Sequence, residues 1–161
     1  MENFEPGHKK ENNFSEEEIY DFLNKNKSEY FTPDSFPGGI EGTINEVKES
    51  GGLNVIERNG KIAACMGYFL DPDNSLYIYF LAIDKEYRGN PSVFREVGLN
   101  ISNICKDNKI KLIKFKALAT AEYNNNLYKK LAYKVEDSTI SSGAASKLYY
   151  VNPHALNRFN L

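Results

Sequence analysis

The sequence predicts a single α/β (α+β) domain, with a mixed, mostly antiparallel sheet of about six to seven strands and about four helices around it. Three observations carry this expectation. Turn signals at Asn59-Gly60 and at Asp71-Pro-Asp-Asn-Ser75 divide an apolar stretch into three successive strands, the pattern of an antiparallel meander. The stretch from Leu76 to Asp107 then reads as a buried strand, a short polar turn and a helix, with a further strand close behind at Ile110. A strand reached through one crossover helix lies parallel to its predecessor, so the sheet has to be mixed.

Taken in order, residues 1–14 are polar, contain Pro6-Gly7 and Lys9-Lys10, and are expected to form a mobile tail. Ser15-Glu-Glu-Glu18 is a capping box that opens the first helix. Ile19, Tyr20, Phe22 and Leu23 give that helix its apolar face, and Asn24 to Ser28 end it. Pro33 and Pro37 make Tyr30 to Gly39 an ordered loop, whose Tyr30, Phe31 and Phe36 read either as core plugs or as ligand contacts. Ile40, Ile44 and Val47 mark a second helix, stopped by Gly51-Gly52.

Leu53–Glu57 and Lys61–Leu70 are predicted strands joined through Arg58-Asn59-Gly60, and the central strand follows the turn at 71–75. Val93, Val97, Ile101 and Ile104 recur at helical spacing, with Asn90 suited to the N-cap and Pro91 to the first helical position. Lysines alternate with Ile110, Leu112, Ile113 and Phe115, which predicts a strand over Ile110–Ala117 with one wet face. A helix at about Glu122–Leu131, strands at Tyr133–Val135 and Lys147–Val151, and a loop over Ser138–Ser146 complete the domain, which spans 15–151. In the tail from 152 to 161, Leu156, Phe159 and Leu161 are candidates to dock on the body.

Composition narrows the function. The chain has 161 residues, 41% hydrophobic and 26% charged, enough to bury a core without disulfides or metal. A net charge of -2 gives no electrostatic footprint for nucleic acid. Cys65 and Cys105 lie in apolar segments and are expected as buried free thiols, while His8 and His154 show no ligand spacing, so no metal is expected. With a polar N-terminus and no apolar run of membrane-spanning length, the expected location is the cytoplasm, with no membrane partner.

The strand–turn–helix around Arg88 and Gly89 carries the chemistry. A helix start after such a turn offers unpartnered N–H groups and a positive dipole end, which together suit an anion. Phe80-Leu-Ala-Ile-Asp-Lys-Glu-Tyr-Arg-Gly89 resembles the coenzyme A-binding strand and turn of the GCN5-related N-acetyltransferase (GNAT) superfamily. Asn124-Asn-Asn-Leu-Tyr-Lys-Lys-Leu-Ala-Tyr-Lys134 is similar to that family's C-terminal motif, which usually ends Leu-Tyr-x-Lys-Leu-Gly-Phe. The resemblance covers roughly 15–151 and implies the GNAT fold.

It also implies that backbone groups of Leu81, Ala82 and Ile83 hold the pantetheine and acyl carbonyl, and that Arg88, Gly89, Asn90, Ser92 and Val93 form the pyrophosphate turn. Asn124 is a further candidate cofactor contact. The turn departs from the family pattern, because Pro91 and Val93 stand where glycines are usual. Pro91 removes a donor, and Val93 brings a branched side chain where backbone should approach phosphate. Ser92 offers a hydroxyl in return. The same residues also read as a capped helix that binds nothing.

Acyl transfer to an amine needs a polarised carbonyl, a deprotonated amine and a stabilised leaving thiolate. The resemblance makes Tyr128 the general acid that protonates the thiolate, while the same residue also reads as an amphipathic-helix tyrosine packing on the sheet. Ala121 stands where the family often has asparagine, and Ala132-Tyr133 replaces the usual Gly-Phe. No general base is legible, since Tyr77 and Tyr79 on the central strand are poor bases, Asp84 lies at its end, and Glu57 reads as a surface carboxylate. The implied activity is acetyl transfer from acetyl-CoA to a primary amine of a small molecule or protein. The alternative is a binding or regulatory domain on a degenerate GNAT fold. A homodimer through the late strands is expected by analogy alone.

Overall fold

A computed structural model of the chain describes residues 14–27, 38–120, 122–140 and 143–160. The tail at 1–13, the aromatics Tyr30, Phe31 and Phe36, and Ala121 lie outside the described residues. Helix α1 (Glu16–Lys25) opens on the expected capping box: Ser15 Oγ accepts the Glu18 N–H at 3.1 Å and Glu18 Oε1 accepts the Ser15 N–H at 2.8 Å. Helix α2 (Gly39–Ser50) turns Ile40, Ile44 and Val47 inward.

Strands β1 (Gly51–Arg58), β2 (Lys61–Leu70) and β3 (Ser75–Ile83) form the meander. Helix α3 (Pro91–Asp107), strand β4 (Leu112–Leu118), helix α4 (Glu122–Lys129), and strands β5 (Lys134–Thr139) and β6 (Ala145–Val151) follow. The six strands make one sheet in the order β1-β2-β3-β4-β6-β5, with β3 and β4 parallel and the other pairs antiparallel. Helices α1 and α2 cover one face, and α3 and α4 cover the other. A 3-10 segment, Pro153–Asn160, adds Leu156, 3% exposed, to the α3 side, while the side chain of Phe159 and the whole of Leu161 lie outside the described residues. Cys65 and Cys105 are both free and buried.

Two boundaries differ from expectation for local reasons. The Gly51-Gly52 pair stops α2 but also begins β1, and a Cβ on Gly51 would sit 1.9 Å from the Tyr68 carbonyl oxygen, so glycine lets the strand start hard against β2. The serine-rich loop is shorter than expected, because Ser138 pairs with Ser146 and Thr139 with Ala145, which prolongs both late strands. The hairpin at Asn59-Gly60 forms as expected, with both residues at positive φ (54° and 79°) across the Arg58–Lys61 pair.

One irregularity decides the shape of the sheet. Gly67 of β2 pairs with Phe80 and Tyr68 with Ile78, leaving Tyr79 as an extra residue in β3. Such a bulge bends its strand and shifts the alternation of side chains by one. Before it Leu76 and Ile78 face α3, and after it Leu81 and Ile83 do, while Phe80 and Ala82 face α1 and α2. Pairing with β4 ends where the bulge begins, at Ile78–Phe115, although both strands run on. The parallel pair therefore splays open beyond Ile78.

The Phe80 ring packs into the space left by Gly67, where a Cβ would lie 2.3 Å from the ring. Phe80 is 4% exposed and has nowhere to retreat. Gly67→Ala is expected to cost about 1–3 kcal/mol by overpacking, read as a lower urea midpoint at unchanged slope.

Candidate functional site

The splay is the natural site. Asp84 N–H donates to the Ala63 carbonyl at 2.8 Å, so at that position the β3 backbone points at β2. Backbone direction alternates along an antiparallel strand, which turns the amides and carbonyls of Leu81 and Ile83 toward the open side and those of Ala82 toward β2. Of the three strand residues singled out from the sequence, Leu81 and Ile83 thus face the gap. Ala82 does not, and its side chain is fully buried against α1 and α2.

Over the splay, between α3 and α4, lies a cleft that opens to solvent. Its walls are apolar: Leu81 from β3, Phe94 and Gly98 from α3, Phe115 from β4, and Leu131 after α4. Tyr128 of α4 lines the same cleft. Its ring stands edge-on to Phe115 with centroids 4.6 Å apart, and to Tyr149 at 5.6 Å. The Tyr149 hydroxyl donates to Asn125 Oδ1 and fixes α4 to β6. Burial raises the Tyr149 pKa, so that phenol stays a donor. The side chain of Asn124 lies outside the described residues.

The turn after β3 bears out the helix start expected from the sequence, with Asn90 at the N-cap and Pro91 at the first helical position. Asp84 leads into a 3-10 turn at Lys85–Tyr87, and Gly89 takes φ +81°, a conformation that favours glycine. Asn90 then caps α3, its Oδ1 accepting the N–H groups of Ser92 at 2.9 Å and Val93 at 3.2 Å. Pro91 has no N–H, and Phe94 N–H donates to the Asn90 carbonyl at 3.2 Å. All four donors of the first turn are thus absent or bonded within the chain.

Val93 corrects the reading taken from the motif. Its side chain is 0% exposed and packed in the core with Val97 and Ile101, turned away from the open end of the helix. The helical face of α3 sets its direction. The Asn90 side-chain oxygen lies against the first free amides of α3.

Arg88 is likewise committed. Its Nε donates to the Ile83 carbonyl at 3.2 Å and its Nη2 to Asn26 Oδ1 at 3.3 Å. Asn26, the 3%-exposed C-cap of α1, also donates its amide to the Phe22 carbonyl, and Lys25 pairs with Asp84 at 3.5 Å. These contacts fasten the end of α1 to the end of β3. The Ser92 hydroxyl accepts from Arg58 Nη2 at 3.0 Å, and Arg58 Nη1 pairs with Glu96 Oε1 at 2.7 Å.

Asn26 and Arg58 escaped the sequence reading. Asn26 ends a helix, which marks it as a cap, but nothing near it in sequence points to Arg88. Arg58 carries no signal beyond its hairpin.

On the opposite face of β3, Phe69, Tyr77 and Tyr79 form an aromatic group with centroids 5.1–6.4 Å apart. Burial, and to a lesser degree the negative charge of Asp71, raises the Tyr77 pKa; burial and the charge of Glu46 do the same at Tyr79. Neither phenol is therefore a base near neutral pH. Burial also pushes the Cys65 thiol up to about 12 and the Cys105 thiol to about 11, which removes both as nucleophiles. Among the described residues no His, Cys, Asp and Glu cluster could hold a metal, and no helix is long and apolar enough to cross a membrane.

Comparison with known proteins agrees with this architecture. The family model "Acetyltransferase (GNAT) family" matches residues 16–90. No curated protein sequence matches the chain. Among solved structures, a GNAT-family acetyltransferase from Staphylococcus aureus is similar with a TM-score of 0.62 at 19% identity, over 87% of this chain and 96% of that one. A Bacillus subtilis acetyltransferase in complex with CoA gives 0.63 at 12%, over 86% and 93%. A GNAT-family acetyltransferase from Elizabethkingia anophelis with acetyl-CoA bound gives 0.56 at 13%, over 70% and 82%. The chain has the GNAT fold.

Two outcomes follow from the geometry. Arg88→Ala strips a partner from the buried Asn26 amide and is expected to lower stability by about 1–3 kcal/mol in urea unfolding. At pH 8 the folded protein should leave both cysteines unmodified by a thiol-specific disulfide reagent, because both thiols stay protonated below their raised pKa values, whereas both should react in guanidinium.

Proposed function

We propose that this chain, which has the fold of the GNAT acetyltransferases, moves an acetyl group from acetyl-CoA to a primary amine on a small molecule or protein. The observation that carries the reading is the open gap between β3 and β4, floored by an apolar cleft with Tyr128 at its edge. A parallel pair that stops bonding halfway leaves backbone donors and acceptors facing a groove, which suits the amide-bearing pantetheine arm. In this reading the backbone of Leu81 and the N–H of Ile83, whose carbonyl is held by Arg88, bond that arm, the cleft takes its apolar segments, and the acyl carbon lies near Tyr128.

The amine nitrogen attacks the thioester carbonyl, the C–S bond breaks, and the thiolate takes a proton from the Tyr128 hydroxyl. The proton lost by the amine passes to solvent, and solvent restores the phenol. With thioester donors kept inside cells and both thiols buried, we assign the protein to the cytoplasm. The exposed Tyr133, just before the edge strand β5, and Val135 within it mark where two copies would pair.

A second reading, a binding or regulatory domain with little hold on coenzyme A, is favoured by one observation: the amides of the turn are already bonded and Arg88 is held by Asn26. Calorimetric titration with acetyl-CoA separates the two. Binding in the micromolar range supports the enzyme, and a folded protein with no affinity for any acetyl thioester sinks it. Once an amine acceptor is found by screening, Tyr128→Phe is expected to lower turnover by about 10²–10⁴-fold with little change in KM for acetyl-CoA.

A further inference from the structure

We infer that the donor is recognised through its pantetheine arm and hardly at all through its nucleotide, so that the protein accepts acyl-pantetheine thioesters at large rather than coenzyme A thioesters in particular. The inference rests on the acyl-transfer reading above and concerns the same site. Three independent features of the chain point to it.

The first is the accounting of donors at the start of α3. Ser92 and Val93 spend their N–H groups on the Asn90 side chain, Phe94 spends its own on the Asn90 carbonyl, and Pro91 has none. A pyrophosphate arriving here meets the oxygen of an amide, not a row of donors, and gains contacts only by expelling a good cap.

The second is the commitment of two nearby arginines. Arg88 holds Ile83 and the buried Asn26, and Arg58 holds Ser92 and Glu96, whose carboxylate adds negative charge beside the first turn of α3. Recruiting Arg88 for phosphate would orphan a buried acceptor.

The third is the contrast with the other half of the site. The splay keeps strand backbone facing the gap, and the cleft over it is apolar, with Tyr128 as its phenol. Pantetheine has two amides and otherwise saturated carbon chain, which this groove can satisfy. Two or more charge-assisted amide bonds in an open cradle would favour the nucleotide-bearing donor by about a hundredfold or more. A closed cradle gives up most of that margin.

The test compares three probes on the full chain by protein-observed NMR titration, which reads affinities into the millimolar range: acetyl-CoA, S-acetyl-pantetheine, and ADP as the pyrophosphate-bearing nucleotide alone. Support is acetyl-CoA and S-acetyl-pantetheine binding within about tenfold of each other, both shifting resonances of the β3–β4 gap, with ADP leaving the start of α3 unmoved. Acetyl-CoA binding more than about tenfold tighter, or ADP binding at the turn, overturns the inference while leaving acyl transfer intact. Binding by neither thioester overturns both.

Asn90→Gly gives a second readout, since glycine is tolerated at the N-cap and frees the amides of Ser92 and Val93. The ratio of the two affinities is expected to move toward acetyl-CoA by about tenfold. An unmoved ratio would show that the cap is not what closes the turn, and would overturn the inference.

Discussion

The single extra residue in β3 is the constraint on which the site depends. Tyr79 has no partner in β2, and the strand bends there, so the backbone that began parallel to β4 leaves it after Ile78. A bulge in a half-exposed strand would throw its apolar set into water. Here both faces of β3 are covered by helices, and an uninterrupted apolar run from Leu76 to Ile83 supplies a suitable side chain in either phase. Gly67 completes the device, since only a residue without a side chain leaves room for the Phe80 ring at the point of the slip. The groove follows from the irregularity that a strand covered on both faces can accommodate.

The turn after β3 shows how folding and binding compete for the same groups. A helix start must satisfy its first amides somehow, and a ligand can do so only if the chain does not. Asn90 and Pro91 settle the matter within the chain: one cap of this kind contributes about 1 kcal/mol to stability. Arg88 tells the same story from the other side. By bridging the Ile83 carbonyl and Asn26 it ties the end of α1, 62 residues away in sequence, to the end of the central strand. A guanidinium that holds two elements together is poorly placed to be lent to a ligand.

Most of the fold was legible in the sequence because its elements announce themselves locally. The capping box at Ser15, the Asn59-Gly60 hairpin, the N-cap at Asn90 and the period of Val93, Val97 and Ile101 each depend on neighbours a few residues away. The site was legible only in outline. Val93 had two readings, one from motif position and one from helical period, and burial on the α3 face followed the period. The bulge at Tyr79 left no trace, since a strand apolar on both faces has no alternation to break. The partners of Arg88 and Ser92 come from α1 and from the β1–β2 hairpin, and no local pattern names a partner so distant in the chain.

The two ends of the groove are also unequal in rigidity. At the Tyr128 end three rings brace one another, Phe115 stacking on Tyr149 at 5.3 Å and both meeting Tyr128 edge-on, while the Tyr149–Asn125 bond sets the position of α4. A phenol so supported has few other places to go, which is what proton transfer to a leaving group asks of it. At the α3 end the fixed groups bond one another instead. In the proposed reading, pre-organisation therefore lies with the reacting end of a donor and not with its anionic handle. A protein built this way would spend its binding energy close to the bond that breaks, where it can contribute to the transition state as well as to the ground state.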